Sequence, residues 1–143
     1  MTDTLTIRET NDLRCAAGMM VPADNGYDVP GADDPRILAD ILASLGRDLG
    51  AVREALVVLG TGFAELDPAA RDAAAAAFQA RGGAEAAILS RVVLQCYYRD
   101  DRVVRSLGLE PRAPFPKGHT LEQGDWSLLD PVKARPKMWR DAP

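Results

Sequence analysis

The chain has 143 residues and a mass of 15.4 kDa, with 47% hydrophobic and 27% charged residues, which fits a single globular domain. Its net charge of −4 and pI near 5.0 argue against nucleic acid or an anionic membrane as a main partner, because both require a clustered positive face. No apolar run approaches the ~20 residues that cross a bilayer, so we expect no membrane insertion.

Three helix starts are marked by capping residues. Thr6 and Glu9 have the spacing of a capping box, while Asp34-Pro35 and Asp67-Pro68 each join an N-cap residue to a proline at the first helical position. Together with the apolar spacing, these signals predict helices from Thr6 to before Pro22, from Asp34 to Gly46, from Arg47 to Ala64, from Asp67 to Ala80, from Ala84 to Tyr98 and from Asp101 to Leu107.

The fifth predicted helix is the most apolar, and we expect it to be central. No run of alternating β-branched residues predicts a strand. The sequence therefore predicts an all-α fold, a bundle of about six helices over residues 1–108, followed by an extended proline-rich arm over residues 109–143. The stripe that marks the central helix consists of Ile88, Leu89, Val92, Val93 and Cys96.

The carboxyl-terminal arm contains both tryptophans of the chain. Prolines 131 and 136 fix φ and disfavour helical geometry at the residue before each, so we expect an extended segment. Disordered linkers are poor in such large apolar side chains, so the arm should dock on the chain's own helices or on another protein. Self-docking is the simpler interpretation for Trp126, Leu128 and Leu129, whereas partner docking suits Trp139 and Arg140, since Trp and Arg are enriched at interface hot spots.

The segment Leu59-Gly60-Thr61-Gly62 begins like a dinucleotide-binding fingerprint. Glu65 stands where that motif needs its third glycine, and Asp67-Pro68 follows instead of a crossover helix and a second strand. The pattern favours glycines within a helix or at a helical bend.

Catalytic and metal sites have few candidates. His119 is the only histidine and has no ligand at metal-site spacing, and neither Ser90 nor Ser127 lies in a nucleophile-elbow motif. Asp125 and Asp130 could perform acid–base chemistry, but capping of turns explains them more simply. We therefore predict no catalytic, cofactor-binding or metal-binding residue. A small all-α hydrolase that uses Asp125, Asp130 and His119 is the rival hypothesis.

The two cysteines, Cys15 and Cys96, lie on separate predicted helices, which excludes a C-x-x-C redox or zinc pair. Two free, buried thiols are the simplest expectation, and a disulfide within the chain or to a partner is the alternative. Tyr97 and Tyr98 follow Cys96 directly. This pair indicates either a helix end whose polar groups are satisfied or a contact surface.

Several segments resemble one family. Met19 to Asp24 is similar to a helix end that leads into an I-P-A-D loop, and the other matching segments are Gln95 to Val103, Leu107-Gly108, Asp125, Ser127 to Val132, Arg135 and Met138 to Arg140. Together they resemble the small subunits of membrane-associated flavin dehydrogenases, the gluconate 2-dehydrogenase subunit 3 family, which includes the gamma subunit of FAD-dependent glucose dehydrogenase.

The resemblance implies a non-catalytic small subunit. Its expected partner is a large FAD-binding oxidoreductase of the glucose–methanol–choline type, which it stabilises or helps to export, and a cytochrome c subunit often accepts the electrons. The chain itself is expected to bind no flavin. A transient assembly chaperone for the flavoprotein is the alternative. We predict these partner-interface residues: Cys96, Tyr97, Tyr98, Trp126, Leu128, Leu129, Arg135, Trp139 and Arg140.

The amino-terminal segment has no basic or apolar export region and no twin arginine, although family members commonly carry a twin-arginine leader. We therefore expect a cytoplasmic complex, or a periplasmic one if the partner carries the export signal.

Overall fold

The fold is all-α, as the sequence predicts. A computed structural model describes residues 4–113, 115, 117–118, 120 and 122–138, and within these ranges it contains helices and turns but no strand. The α-helices of the described residues are α1 (Ile7–Met20), α2 (Pro35–Ser44), α3 (Leu49–Leu59), α4 (Pro68–Arg81), α5 (Gly83–Tyr97), α6 (Asp101–Ser106) and α7 (Asp130–Lys133).

The predicted helix starts are confirmed by their capping bonds. The backbone amide of Glu9 donates to the Thr6 hydroxyl at 3.2 Å, and the Glu9 carboxylate accepts from the Thr6 amide at 2.7 Å, which completes the capping box. Asp34, Asp67 and Asp100 accept amide hydrogens in the first turns of α2, α4 and α6. These carboxylates therefore satisfy orphan helix donors.

Helix α5 is central to the helical unit, as predicted. It packs against α2, α3 and α4, and α1 packs against α3. Four of its five predicted stripe residues are buried, while the remaining one, Ile88, is partly buried against the same core. The other helices contribute Leu13, Ile37, Ile41, Val52, Leu56, Phe78 and Val103 to this core.

Helix α3 is shorter than predicted. A 3₁₀ turn, Gly46–Asp48, precedes it, and it ends at Leu59 rather than Ala64. Gly60 has φ +123° and Gly62 has φ +82°, so the chain leaves helical geometry at both glycines. A second 3₁₀ turn, Phe63–Glu65, then places Phe63 in the core. The two glycines form the bend that the sequence favours over a dinucleotide site.

A charged cluster joins the start of α2 to the start of α6. The guanidinium of Arg102 donates to Asp34 at 2.8 Å and to Asp100 at 2.9 Å, and Asp100 is buried. Hydrogen bonds from Arg102 are the main reason that the pKa values of Asp34 and Asp100 lie below the usual aspartate range. The loop of residues 22–34 is thereby anchored at its carboxyl end.

The chain forms two compact units, Met1–Pro111 and Arg112–Pro143. In the second unit a 3₁₀ helix, Trp126–Leu129, runs directly into α7. The expectation of an extended arm is therefore wrong for residues 126–133. Asp130 precedes Pro131 yet has helical geometry, with φ −59° and ψ −39°. Pro131 lies in the first turn of α7, where its missing N–H breaks no helical hydrogen bond.

Candidate functional site

The short helix of the arm presents a row of apolar side chains. Trp126, Leu129 and Val132 follow one another every third residue, the spacing that aligns side chains on one face of a short helix. Trp126 is 65% exposed and Leu128 is 74% exposed. The indole N–H of Trp126 donates to the Gln123 side chain at 3.3 Å, which holds the ring near the start of the helix. We call Trp126–Val132 the arm helix.

Polar side chains fix both ends of the arm helix. The Asp125 carboxylate accepts from the amide and the hydroxyl of Ser127 at 3.0 and 2.6 Å, and these bonds lower the pKa of Asp125. The ammonium of Lys133 donates to Asp130 at 3.1 Å. Arg135, one of the predicted interface residues, is exposed beyond this helix. The interpretation of Asp125 as a capping residue is therefore confirmed.

Three residues named by the sequence patterns lie outside the described residues. These are His119, Trp139 and Arg140. The interface role of Trp139 and Arg140 stays a prediction, and the catalytic role of His119 belongs only to the rival hypothesis.

The end of α5 separates its three predicted interface residues. Cys96 and Tyr97 are buried in the core, whereas Tyr98 is 56% exposed. The rings of Tyr97 and Tyr98 meet edge to face, with centroids 5.2 Å apart. Burial raises the pKa of the Tyr97 hydroxyl. Tyr98 therefore provides the accessible surface at this end of the helix.

Arg99 holds the end of α5 against α2. Its guanidinium donates to Asp40 at 2.7 Å, to the Ser44 hydroxyl at 2.7 Å and to the Cys96 sulfur at 3.5 Å. Both cysteines are free thiols, and Cys15 is half-buried. Burial raises the pKa of the Cys96 thiol, so this sulfur is a poor nucleophile.

Sequence reasoning missed a buried carboxylate on α1. Asp12 is 3% exposed and accepts hydrogen bonds from the backbone amides of Gly62 and Ala64 at 2.9 and 2.8 Å. A detectable signal exists in the sequence, because Asp12 stands four residues before the buried Ala16 and thus on the apolar face of the helix. A buried carboxylate at such a position requires donors from elsewhere in the fold.

Charged side chains surround the bend that Asp12 holds. Arg71 donates to the carbonyl oxygens of Ala64 and Leu66 at 3.0 and 2.7 Å, and Arg8 pairs with Glu65 at 2.7 Å. These groups line an open cleft of about 640 Å³ beside α1. Most of the carboxylates and guanidinium groups in this cleft bind one another or the backbone. We therefore interpret them as groups that stabilise the bend.

A second cleft, of about 560 Å³, is lined mainly by apolar side chains. Its walls come from the end of α1, from α4 and from α5. Met19, Met20 and Leu94 are each more than a third exposed there. We call this cleft the alanine groove, and it is lined by Ala16, Met19, Met20, Leu59, Phe63, Asp72, Ala75, Ala76, Phe78, Gln79, Ala86, Leu89, Ser90 and Leu94.

Neither metal-site geometry nor a membrane span occurs in the part of the chain that the structure describes. No group of three or more His, Cys, Asp or Glu side chains there could hold a metal ion. Within the same residues, no helix has the length and apolar character needed to cross a bilayer.

Comparisons with protein-family models, with curated proteins and with solved structures find no match to this chain.

Proposed function

We propose that this chain is a non-catalytic small subunit of an FAD-dependent sugar or alcohol dehydrogenase. Its role is to stabilise or mature a large flavoprotein subunit that carries the FAD and the chemistry. The proposal joins the family resemblance of the segments described above to one structural observation, the exposed apolar row of the arm helix.

The arm helix has the composition of an interface anchor. Trp126, Leu129 and Val132 expose large apolar surfaces on a segment that is already folded locally, which lowers the entropy lost when it docks. Short helical segments with apolar side chains at such spacing are a recurring way in which proteins bind grooves of their partners. The predicted interface residue Tyr98 adds an exposed aromatic ring on the helical unit.

Co-expression tests the proposal directly. A candidate large subunit, an FAD-binding oxidoreductase of the glucose–methanol–choline type from the same organism, is produced with and without this chain, and soluble yield, flavin absorbance and dehydrogenase activity are compared. We expect the chain to copurify and to raise all three quantities. A flavoprotein that is equally soluble, flavin-loaded and active without the chain refutes the proposal.

The same preparation separates a subunit from a transient chaperone. A subunit is present in the mature complex at a fixed ratio, which native mass spectrometry measures. A flavoprotein that needs this chain for its yield but lacks it after purification indicates the chaperone instead.

The end of the arm is tested by truncation. Removing residues 137–143 deletes the predicted anchors Trp139 and Arg140, and we expect weaker association with the large subunit while the helical circular dichroism is retained. Loss of the helical signal would mean that the arm is required for folding.

A further inference from the structure

The tip of the loop of residues 22–34 is a closed turn. The backbones of Asp24 and Val29 bond each other in both directions, at 3.1 and 3.0 Å, in an antiparallel bridge. Asn25 and Gly26 lie inside this turn, and Asn25 is exposed. The Asn25 side chain forms no hydrogen bond with the residues that the structure describes. Its amide is therefore open to solvent and is not held by a polar contact.

An asparagine followed by a glycine contains both partners of a ring-closing reaction. The backbone nitrogen of Gly26 attacks the side-chain carbonyl carbon, Cγ, of Asn25 and closes a succinimide ring. The N–Cγ bond forms, the bond from Cγ to the amide nitrogen breaks, and that nitrogen leaves as ammonia with the proton of the Gly26 amide. Water then opens the ring at either carbonyl and leaves aspartate or isoaspartate. Glycine favours the attack because it has no Cβ to crowd the nitrogen.

Asp24 binds the nitrogen that makes this attack. Its Oδ1 atom accepts from the backbone amide of Gly26 at 2.7 Å and from that of Tyr27 at 3.3 Å. The carboxylate lies so close that a Cβ built on Gly26 would stand 3.1 Å from Oδ1. This bond directs the Gly26 N–H towards Asp24, and the negative charge of Asp24 disfavours loss of the proton that the attack requires. The folded turn therefore opposes the reaction that its sequence favours.

We propose that Asn25-Gly26 is a site of spontaneous deamidation and that Asp24 restrains this reaction while the chain is folded. The other asparagine of the sequence, Asn11, lies within α1 and precedes Asp12, whose backbone nitrogen bonds within the helix. Asn25 therefore reacts first, and it reacts fastest when the turn opens.

Deamidation changes both the turn and its surroundings. Isoaspartate adds one carbon to the backbone between Asp24 and Val29, so their bridge loses its register. Aspartate keeps the backbone but places a negative charge in an open cleft of about 610 Å³, which Arg102 and Arg105 also line. The new charge attracts these guanidinium groups. Either product therefore alters the same end of the loop.

Mass spectrometry measures the reaction directly. The purified chain is incubated in mildly alkaline buffer, folded or in guanidinium chloride, and the peptide that contains Asn25 is followed as its amide becomes a carboxyl group. We expect the folded chain to react at least about tenfold more slowly than the unfolded chain, because a hydrogen bond to a charged group must first be broken. A protease that cuts before aspartate but not before isoaspartate separates the products. Asn25→Gln should remove the mass change from this peptide.

Matched variants test the role of Asp24. Asp24→Ala removes the acceptor of the Gly26 amide, whereas Asp33→Ala removes another exposed carboxylate of the same loop, one without a hydrogen bond to the described residues. We expect folded Asp24→Ala to deamidate about tenfold faster than the wild type, and Asp33→Ala to stay within about twofold. Asp24→Ser keeps an uncharged acceptor in the turn and should fall between them. In guanidinium chloride all four chains should react alike, and circular dichroism checks their native helix content.

The outcomes separate the site from its restraint. A mass change that lies outside the Asn25 peptide, or none in the unfolded chain, overturns the site. Equal rates for the folded and unfolded wild type show that the fold does not restrain the reaction. If Asp24→Ala and Asp24→Ser react no faster than Asp33→Ala in the folded state, Asp24 is not the restraint. If Asp24→Ala does not fold, the comparison of Asp24→Ser with Asp33→Ala decides the same point.

Discussion

Asp12 on α1 accepts a 2.9 Å hydrogen bond from the backbone amide of Gly62, which lies 50 positions later in the chain. The same carboxylate accepts from Ala64, so one side chain organises the bend between α3 and α4. This carboxylate does for a loop what an N-cap residue does for a helix, because it satisfies amides that the backbone leaves without acceptors.

The first prediction concerns that carboxylate. Asp12→Ala should lower the free energy of unfolding by about 3 kcal/mol, because the buried amide of Gly62 and the half-buried amide of Ala64 lose a charged acceptor, and each such bond is worth about 1.5–3 kcal/mol. Asn11→Ala, at the exposed neighbouring position of α1, should cost less than about 0.5 kcal/mol. Urea denaturation followed by circular dichroism measures both. Equal stability of the two variants would show that the bend does not depend on Asp12.

Two glycines should respond to alanine with opposite signs. Gly62 has φ +82°, so Gly62→Ala should destabilise the protein by roughly 1–2 kcal/mol, the cost of a left-handed L-residue. Gly50 lies inside α3 with open space at its Cβ position, and Gly50→Ala should stabilise by roughly 0.5–1 kcal/mol. Thermal melts of both variants check the signs. A stabilising Gly62→Ala would contradict the assigned bend.

The ion pairs of Arg102 should make the free energy of unfolding depend on pH. Because its hydrogen bonds lower the folded-state pKa values of Asp34 and Asp100, their stabilisation is present above the unfolded value of about 3.9 and is lost as the pH falls below it. Arg102→Gln should cost about 2–3 kcal/mol at pH ~7, less than the 3–5 of a fully buried pair, since Arg102 is 37% exposed.

The matched control for Arg102 is on the same helix. Arg105 pairs with Asp101 at 3.4 Å on the exposed face, so Arg105→Gln should cost at most about 0.5 kcal/mol at any pH. Denaturation series at decreasing pH should show the cost of Arg102→Gln shrinking towards that of Arg105→Gln. A pH-independent difference between them would rule out the coupling.

Thiol labelling should distinguish the two cysteines. Cys96 is buried and its thiol pKa is raised, whereas Cys15 is half-buried, so Cys15 should react first with a disulfide reagent in the native protein. Cys96 should react at a comparable rate only in denaturant. Single Cys15→Ser and Cys96→Ser variants assign the kinetic phases, and faster native labelling of Cys96 would contradict its burial.

The arm helix should act in binding and not in the stability of the helical unit. Trp126→Ala should weaken association with the proposed flavoprotein partner by at least about tenfold, as expected of a tryptophan hot spot. The unfolding midpoint of the isolated chain, measured by circular dichroism, should stay unchanged. Glu122→Ala in the same arm is the control, and an equal loss of affinity in both variants would remove Trp126 as an anchor.

Local signals were sufficient to predict most of the helical unit. The caps at Thr6, Asp34 and Asp67 and the stripe of α5 depend on residues within one or two turns, and the structure confirms them. The end of α3 was predicted wrongly because an apolar stripe that includes Phe63 continues through the glycines. The helix ends at Gly60, and the bend that follows is held by Asp12 through the amides of Gly62 and Ala64, a contact that is distant in sequence.

The alanine groove could not be predicted from the sequence for the same reason. Tyr98 and the arm residues have recognisable composition, but the alanine groove depends on how α1, α4 and α5 pack together. The helical geometry of Asp130 departs from the general preference of residues before proline, because Pro131 lies at a helix start, where proline is well tolerated.

Gly82 both ends α4 and precedes the first residue of α5, with φ +61° and ψ −144°, a conformation that residues with a side chain scarcely adopt. The two helices that form the walls of the alanine groove are therefore joined by this one residue. An added residue at this junction would change the spacing of the walls, so natural length variation in such chains should concentrate in the loop of residues 22–34 and spare the junction.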